Sequence, residues 1–296
     1  MVNFIMMVGL AGSGKSTYVQ KNYNKDTDVI ISSDAVREEI YGSADVQENP
    51  QKVFRIMQER VRESLKQGKN VWYDATNLNA KRRAGFIKEI KSWHIPDIVF
   101  TCLVLLTPLD KCIWRQNNRE RKVPAYAITK QYLSFEVPYW NEGWHSIELM
   151  YEEGVFTYPS LMERIAETVD FDQENSHHTL SLYEHLMKAY ELAKQDLSES
   201  VDPIPLDAQA IEVAAFLHDI GKYTTKTHGD DGQAHYYGHE HASTYDFLCS
   251  REVAWAWEIG PNSNSMSAQE ALMRSMYRGS WKNWAAADIS MFRGHS

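Results

Sequence analysis

The sequence predicts two domains of different class, an α/β unit with a parallel sheet followed by an all-α unit. Its 296 residues are about twice the length of a typical single domain. Through the first half, short apolar segments alternate with helical patterns, as strands do when helices cover both faces of their sheet. From about Leu161 that strand signal stops. The polar, acidic stretch Val169–Ser176 reads as a linker, which sets the expected domains at 1–165 and 172–296.

Phe4–Val8 is the first strand, followed by a glycine-rich loop and a helix from Ser16 to Asn22. Val29–Ile31 is a second strand, ending at Ser32-Ser33-Asp34. Ala35–Tyr41 and Pro50–Gln67 read as helices, the latter with Val53, Ile56, Met57 and Val61 at helical spacing. Asn70–Tyr73 gives a third strand, ending at Asp74; Ala80–Trp93 is an amphipathic helix and Ile98–Leu106 a buried strand. Beyond the midpoint, Leu180–Ala193, Ala208–Asp219 and Ser243–Cys249 read as helices, and Gly260–Ser265 as a loop by composition. The tryptophans at 255, 257, 281 and 284 default to packing roles.

Composition excludes several classes. Hydrophobic residues at 43% and charged residues at 24% are ordinary for a soluble globular protein. The longest apolar runs fall well short of the roughly 20 residues a membrane helix needs. Val2–Leu10 runs straight into the glycine loop, so it reads as a strand rather than a secretory signal. The cysteines at 102, 112 and 249 show no metal or framework spacing, which favours a reducing, cytoplasmic location. A net charge of −9 argues against coating long stretches of nucleic acid, because such binding depends on many phosphate neutralisations. Gripping the end of a strand needs few, and local basic clusters exist at Lys111–Lys122 and Lys81-Arg82-Arg83.

Gly9-Leu10-Ala11-Gly12-Ser13-Gly14-Lys15-Ser16 fits G-x-x-x-x-G-K-[ST] between a strand and a helix. In that setting the backbone of Gly12, Ser13, Gly14 and Lys15, followed by Ser16-Thr17, cradles a nucleoside triphosphate. Lys15 reaches the β- and γ-phosphates, and the Ser16 hydroxyl ligates Mg2+. Asp34, at a strand's carboxyl end, can act as general base for an attacking hydroxyl or simply cap a helix. Arg37, one turn on, points the same way and can hold an acceptor phosphate; Asp74 carries the same ambiguity as Asp34. Arg115 and Arg119, four apart, would share a helix face, either as a clamp on the triphosphate or as a solvated basic face.

In the second half, histidines at 177, 178, 185, 218, 228, 235, 239 and 241 accompany Asp219. Neutral imidazoles and carboxylates around a divalent ion are what metal-assisted phosphoester hydrolysis requires. The adjacent His218-Asp219 on an apolar helix carries the signal, since a buried charged pair without a partner is costly.

Gly9–Thr17, Ser33–Arg37, Asp74–Arg83 and Arg115–Pro124 occur in the order seen in phage and bacterial polynucleotide 5′-kinases, and residues 1–160 resemble that family. The resemblance implies ATP or another NTP with Mg2+, Asp34 as general base for a 5′-hydroxyl, and Arg37 on the acceptor's neighbouring phosphate. It also implies Asp74 on the acceptor side and Arg115 or Arg119 on the transferring phosphoryl group. Residues 172–296 resemble the HD-domain phosphohydrolases. This second resemblance implies His178, His218, Asp219 and Asp288 around a divalent metal (Mn2+, Ni2+, Co2+ or Zn2+), with His239 as a further ligand. His178, in His178-Thr179-Leu180-Ser181-Leu182, matches the family's helix-opening pattern better than His185. Residues 242–288 contain no histidine, a departure from the two-metal members. Lys222 and Arg293 are candidate phosphate or leaving-group contacts.

Together the modules resemble bifunctional end-healing enzymes. The expected function is phosphorylation of 5′-OH ends and removal of 3′-phosphate or 2′,3′-cyclic phosphate in nucleic-acid, foremost RNA, repair, upstream of a ligase. The alternatives are a nucleoside or nucleotide kinase fused to a nucleotidase, and a regulatory protein that only binds nucleotides.

Overall fold

The computed structural model describes residues 1–46, 48–151, 158–174, 179–199, 208–230 and 232–250. The chain divides into two compact units, Met1–Phe156 and Thr157–Ser296.

Unit one is a five-stranded, wholly parallel sheet in the order β2-β3-β1-β4-β5. Its elements run β1 (Val2–Val8), α1 (Lys15–Asn22), β2 (Asp28–Ser32), α2 (Ser33–Tyr41), α3 (Pro50–Lys66), β3 (Asn70–Asp74), α4 (Ala80–Ser92), β4 (Ile98–Leu106), α5 (Leu109–Asn117), α6 (Ala125–Tyr132) and β5 (Ser146–Tyr151). The expected α/β class holds. Both faces of the central strands are buried. On one, Phe4, Tyr73 and Phe100 pack with Phe86 of α4; on the other, Met7, Trp72, Leu103 and Leu105 pack with Val19 of α1. Because all strands are parallel, every carboxyl end opens on the same edge, where α/β sheets hold ligands. The glycine loop after β1, Ser33-Asp34 after β2 and Asp74 at the end of β3 therefore share that edge.

Two sequence expectations are corrected here. Arg83 is not part of a basic surface cluster: it is 1% exposed and forms a fork-to-fork pair with Glu142 at 2.8 Å from both Nε and Nη2. Its remaining Nη1 donates to the Asn77 carbonyl at 2.9 Å, so it props the loop that follows Asp74. Arg115 and Arg119 do not share a helix, because α5 ends at Asn117 and Arg119 lies in the turn beyond.

Unit two contains α7 (Leu161–Glu167), α8 (Leu182–Glu199), α9 (Ala208–Leu217), α10 (Lys222–Thr225), the two-residue antiparallel ladder β6 (Thr227–His228) with β7 (Ala234–His235), and α11 (His239–Leu248). Apart from that short ladder, its described elements are helical, as expected. The division precedes the anticipated boundary at 165, because α7 packs as part of the helical unit. The Tyr183 and Leu182 amides donate to the Thr168 and Phe171 carbonyls, and Arg164 pairs with Asp246 of α11. The stretch expected as a linker is anchored at two of its described positions, although Val169, Asp170, Asp172 and Glu174 are exposed. Gln173 is fully buried, and the Phe171 ring contacts Tyr223 and Tyr236. Its polar composition hid side chains that bond inward. Residues 251–296, with the tryptophan-rich stretch, Gly260–Ser265, Asp288 and Arg293, lie outside the described residues, as do His177 and His178.

Candidate functional sites

The first site is built on the loop between β1 and α1. Gly14 caps α1 with φ +95°, and Gly12, at φ +87°, approaches so closely that an added Cβ would stand 2.5 Å from the Cys112 carbonyl oxygen. That contact seats the loop against α5 and leaves no room for a side chain. Lys15 is buried, its ammonium donating to the carbonyls of Gly9 at 2.9 Å and Leu10 at 2.7 Å. Burial lowers its pKa; Asp74 is the chief opposing influence, and the Arg119 charge lowers it further. Arg115 Nη1 reaches the Gly12 carbonyl at 3.4 Å. Both arginines therefore act on the loop, although only one is helical.

The Ser16 hydroxyl donates to Asp74 Oδ2 at 2.8 Å. Burial raises the Asp74 carboxyl pKa, against the pull of Lys15 and the Ser16 hydrogen bond. A P-loop serine and an aspartate from a neighbouring strand end form the oxygen donor set that suits Mg2+. This geometry sets Asp74 beside Ser16 at the phosphate loop, with the Asp34 charge also acting on it. Asp34 and Arg37 lie one turn apart on α2, 3.3 Å between Nη1 and Oδ1. Arg37 is buried, and its Nε has no hydrogen-bond partner. Arg121, one member of the basic cluster at Lys111–Lys122, is bound to Asp34 at 2.7 Å.

The second site lies where α8, α9 and α11 converge. The His218-Asp219 doublet sits in the turn after α9, which ends at Leu217 and not at Asp219 as expected. His218 Nδ1 donates to the Ala215 carbonyl at 2.7 Å, and His239 Nδ1 to the Tyr236 carbonyl at 2.7 Å. Each bond fixes the tautomer and turns the Nε2 lone pair inward, the usual support of a metal-ligating histidine. His239 Nε2 lies 3.1 Å from Asp219 Oδ1, and His185 Nε2 lies 3.1 Å from Asp219 Oδ2. Ligand atoms of His185, His218 and Asp219 all fall within 4.8 Å of one another. Two imidazoles and a carboxylate, from His185, His218 and Asp219, fit a divalent transition metal, and His239 lies beside them against Asp219.

The upstream histidine described at this cluster is His185, which fits the helix-opening pattern less well than His178. One periodic signal marks it: His185 sits three residues after Leu182 and one before Leu186, both fully buried on the inner face of α8. Lys222 is buried and donates to Asp219 Oδ2 at 2.6 Å and Gln173 Oε1 at 3.2 Å. It is thus a partner of the Asp219 carboxylate in this geometry. Burial alone would raise the Asp219 pKa, but the positive field of His218 and Lys222 and the hydrogen bonds hold it well below the usual carboxylate range. An ionised Asp219 is the form a cation requires. Gly221 begins α10 so close to α11 that an added Cβ would overlap the His239 carbonyl and the Ser243 amide. This approach holds His239 against the doublet.

The two sites define a P-loop phosphotransferase module followed by a helical His/Asp module. Residues 4–138 match the family model described as an AAA domain, and residues 175–256 match that of the HD domain. The chain thus carries a P-loop kinase domain followed by an HD domain. It is similar to a gluconokinase from Sinorhizobium meliloti 1021 (15% identity, 50% of this chain and 82% of that one, TM-score 0.35). A putative kinase from Chloroflexus aurantiacus J-10-fl is similar at 11% identity over 51% of this chain and 88% of that one, TM-score 0.41. A chain of a Pnkp1/Rnl/Hen1 complex is similar at 18% identity over 66% of each chain, TM-score 0.33. No curated protein matches the chain. Among the described residues, no helix is long and apolar enough to cross a membrane.

Proposed function

We propose that this chain heals nucleic-acid ends, phosphorylating a 5′-hydroxyl with ATP or another NTP and hydrolysing a 3′-phosphate or 2′,3′-cyclic phosphate. The observation that carries the kinase half is the acceptor corner of the crevice. There Asp34, half exposed, stands beside a buried Arg37 whose Nε is left unpaired. A buried guanidinium donor without a partner is costly, and an acceptor bearing a phosphate next to its hydroxyl would satisfy it. The Asp34 carboxylate takes the proton as the hydroxyl attacks. Lys15, Arg115 and Arg119 place positive charge along the transferring phosphoryl group, and Gly12–Thr17 orient the donor. Ser16 and Asp74 would hold Mg2+, which supplies charge neutralisation on the phosphates.

In the helical unit, His185, His218, Asp219 and His239 would hold a divalent metal, which supplies Lewis acidity toward a phosphoester. Asp288 and Arg293 keep the roles that the family resemblance implies, a ligand and a phosphate contact, as does His178. Lys222 holds the Asp219 carboxylate in place from the side opposite His239. Removing a 3′-phosphate and adding a 5′-phosphate produce the two ends a ligase joins, so a ligase is the expected downstream partner. The cytoplasm is its expected compartment.

The deciding experiment supplies radiolabelled ATP with either a 5′-OH oligonucleotide or free nucleosides. Label on the oligonucleotide is the expected result; label on nucleosides alone overturns the reading in favour of a monomer kinase. The same oligonucleotide carrying a 3′-phosphate, incubated with a panel of divalent metals, should release inorganic phosphate.

A further inference from the structure

Arg121 makes more polar contacts than any role assigned above requires. Its Nη1 donates to Asp34 Oδ2 at 2.7 Å, and Nη2 stands 3.3 Å from Asp34 Oδ1. Nε donates to Asp45 Oδ1 at 2.8 Å and Nη2 to the Ala44 carbonyl at 2.8 Å. One guanidinium thereby joins three stretches of chain: the segment between α5 and α6, the first turn of α2, and the turn that follows α2. An exposed ion pair contributes little to stability, so this convergence is better explained by the orientation it imposes. A planar fork fixes the plane of a carboxylate, which a point charge cannot do. The Asp34 side chain remains 53% exposed, so the bound carboxylate keeps an open face for an acceptor. The segment that carries Arg121 also carries Arg119, whose charge acts on Lys15 in the phosphate loop. Donor and acceptor sides are thus connected through one short loop.

We propose that Arg121 is a positioning residue of the kinase site: it orients the Asp34 carboxylate toward the acceptor and ties the α5–α6 segment to the acceptor side. The inference rests on the reading of Asp34 as general base. It is tested on the full chain with ATP and a 5′-OH oligonucleotide, using Arg121→Gln, Arg121→Lys, Asp34→Asn and the Arg121→Gln/Asp34→Asn double variant. Arg121→Gln should lower kcat by about tenfold, part of what a general base contributes, with KM for ATP unchanged. Arg121→Lys should recover little of that loss, because charge returns without the fork. In the residual activity of Asp34→Asn, adding Arg121→Gln should cost nothing further, the non-additivity of residues acting as one unit. A merely structural role predicts full additivity and a changed thermal midpoint. Full additivity, or a kcat for Arg121→Gln within about twofold of wild type while Asp34→Asn is inactive, overturns the proposal. Wild-type activity in Asp34→Asn overturns the general-base reading itself, and this inference with it.

Discussion

His185 shows how much can turn on one side chain. Its ring lies on the buried face of α8 among leucines, where an isolated histidine would usually be a packing residue. What changes the reading is its Nε2, 3.1 Å from Asp219 and 3.3 Å from His218 Nε2. Two imidazole nitrogens that close share either a proton or a cation. His185→Ala should weaken divalent-metal binding by about a hundredfold or more, beyond the usual loss from removing an outer-shell partner. Titration of the full chain with Co2+, read by its visible absorption, measures this. Unchanged affinity would return His185 to the core. Arg83 and Glu142 make the complementary case: a charged pair in a motif that looks functional, yet buried so completely that its work is to hold the Asn77 loop. Its short-range pattern of three adjacent cations carries no sign of the partner 59 residues away.

At the scale of elements, β2 is held at its amino end by a single aspartate. Asp28 accepts from the Asn24 amide, the Thr27 hydroxyl, the Asn70 amide group and the Trp72 indole, at 2.7–3.0 Å. Burial pushes its pKa upward, but these hydrogen bonds outweigh it and bring the value down to about 2. The unfolded carboxyl titrates at about 3.9, so the folded state binds its proton less readily. The stabilisation is therefore complete above about pH 4 and is lost as pH falls toward 2. Asp28→Asn should lower the urea midpoint at pH 6, and the gap from wild type should narrow at pH 3. A gap independent of pH would show that packing of β2, and not the charged form of Asp28, provides the anchor. Among the elements without a sequence signal, α6, β5 and α7 share a physical cause. They have six to eight residues each, too few turns or alternations for a periodic signal, and their amphipathic faces are completed only by neighbours.

At the scale of the molecule, each unit has its own buried core and its own set of polar contacts around its site. The chemistry is accordingly separable. Lys15→Ala should abolish phosphate transfer to a 5′-hydroxyl and leave 3′-phosphate release within about twofold, and Asp219→Ala should do the reverse. Both are measured on one oligonucleotide carrying a 5′-hydroxyl and a 3′-phosphate, by following label gain and phosphate release in parallel. Loss of both activities in either variant would mean that the two sites act as one unit.

The α/β class, the parallel sheet, the phosphate loop and the His-Asp doublet are all determined by the sequence alone. Each is written in contiguous residues: strands by apolar runs, the loop by glycine spacing, the doublet by adjacency. The pairings across distance come instead from how the chain packs. That packing brings Asp74 to Ser16, Arg83 to Glu142, Arg121 to Asp34 and His185 to Asp219. Local pattern cannot report these, because a side chain's partner is set by how helices and strands stack. Only after that stacking does burial turn a polar residue into a ligand, a prop or an orienting contact.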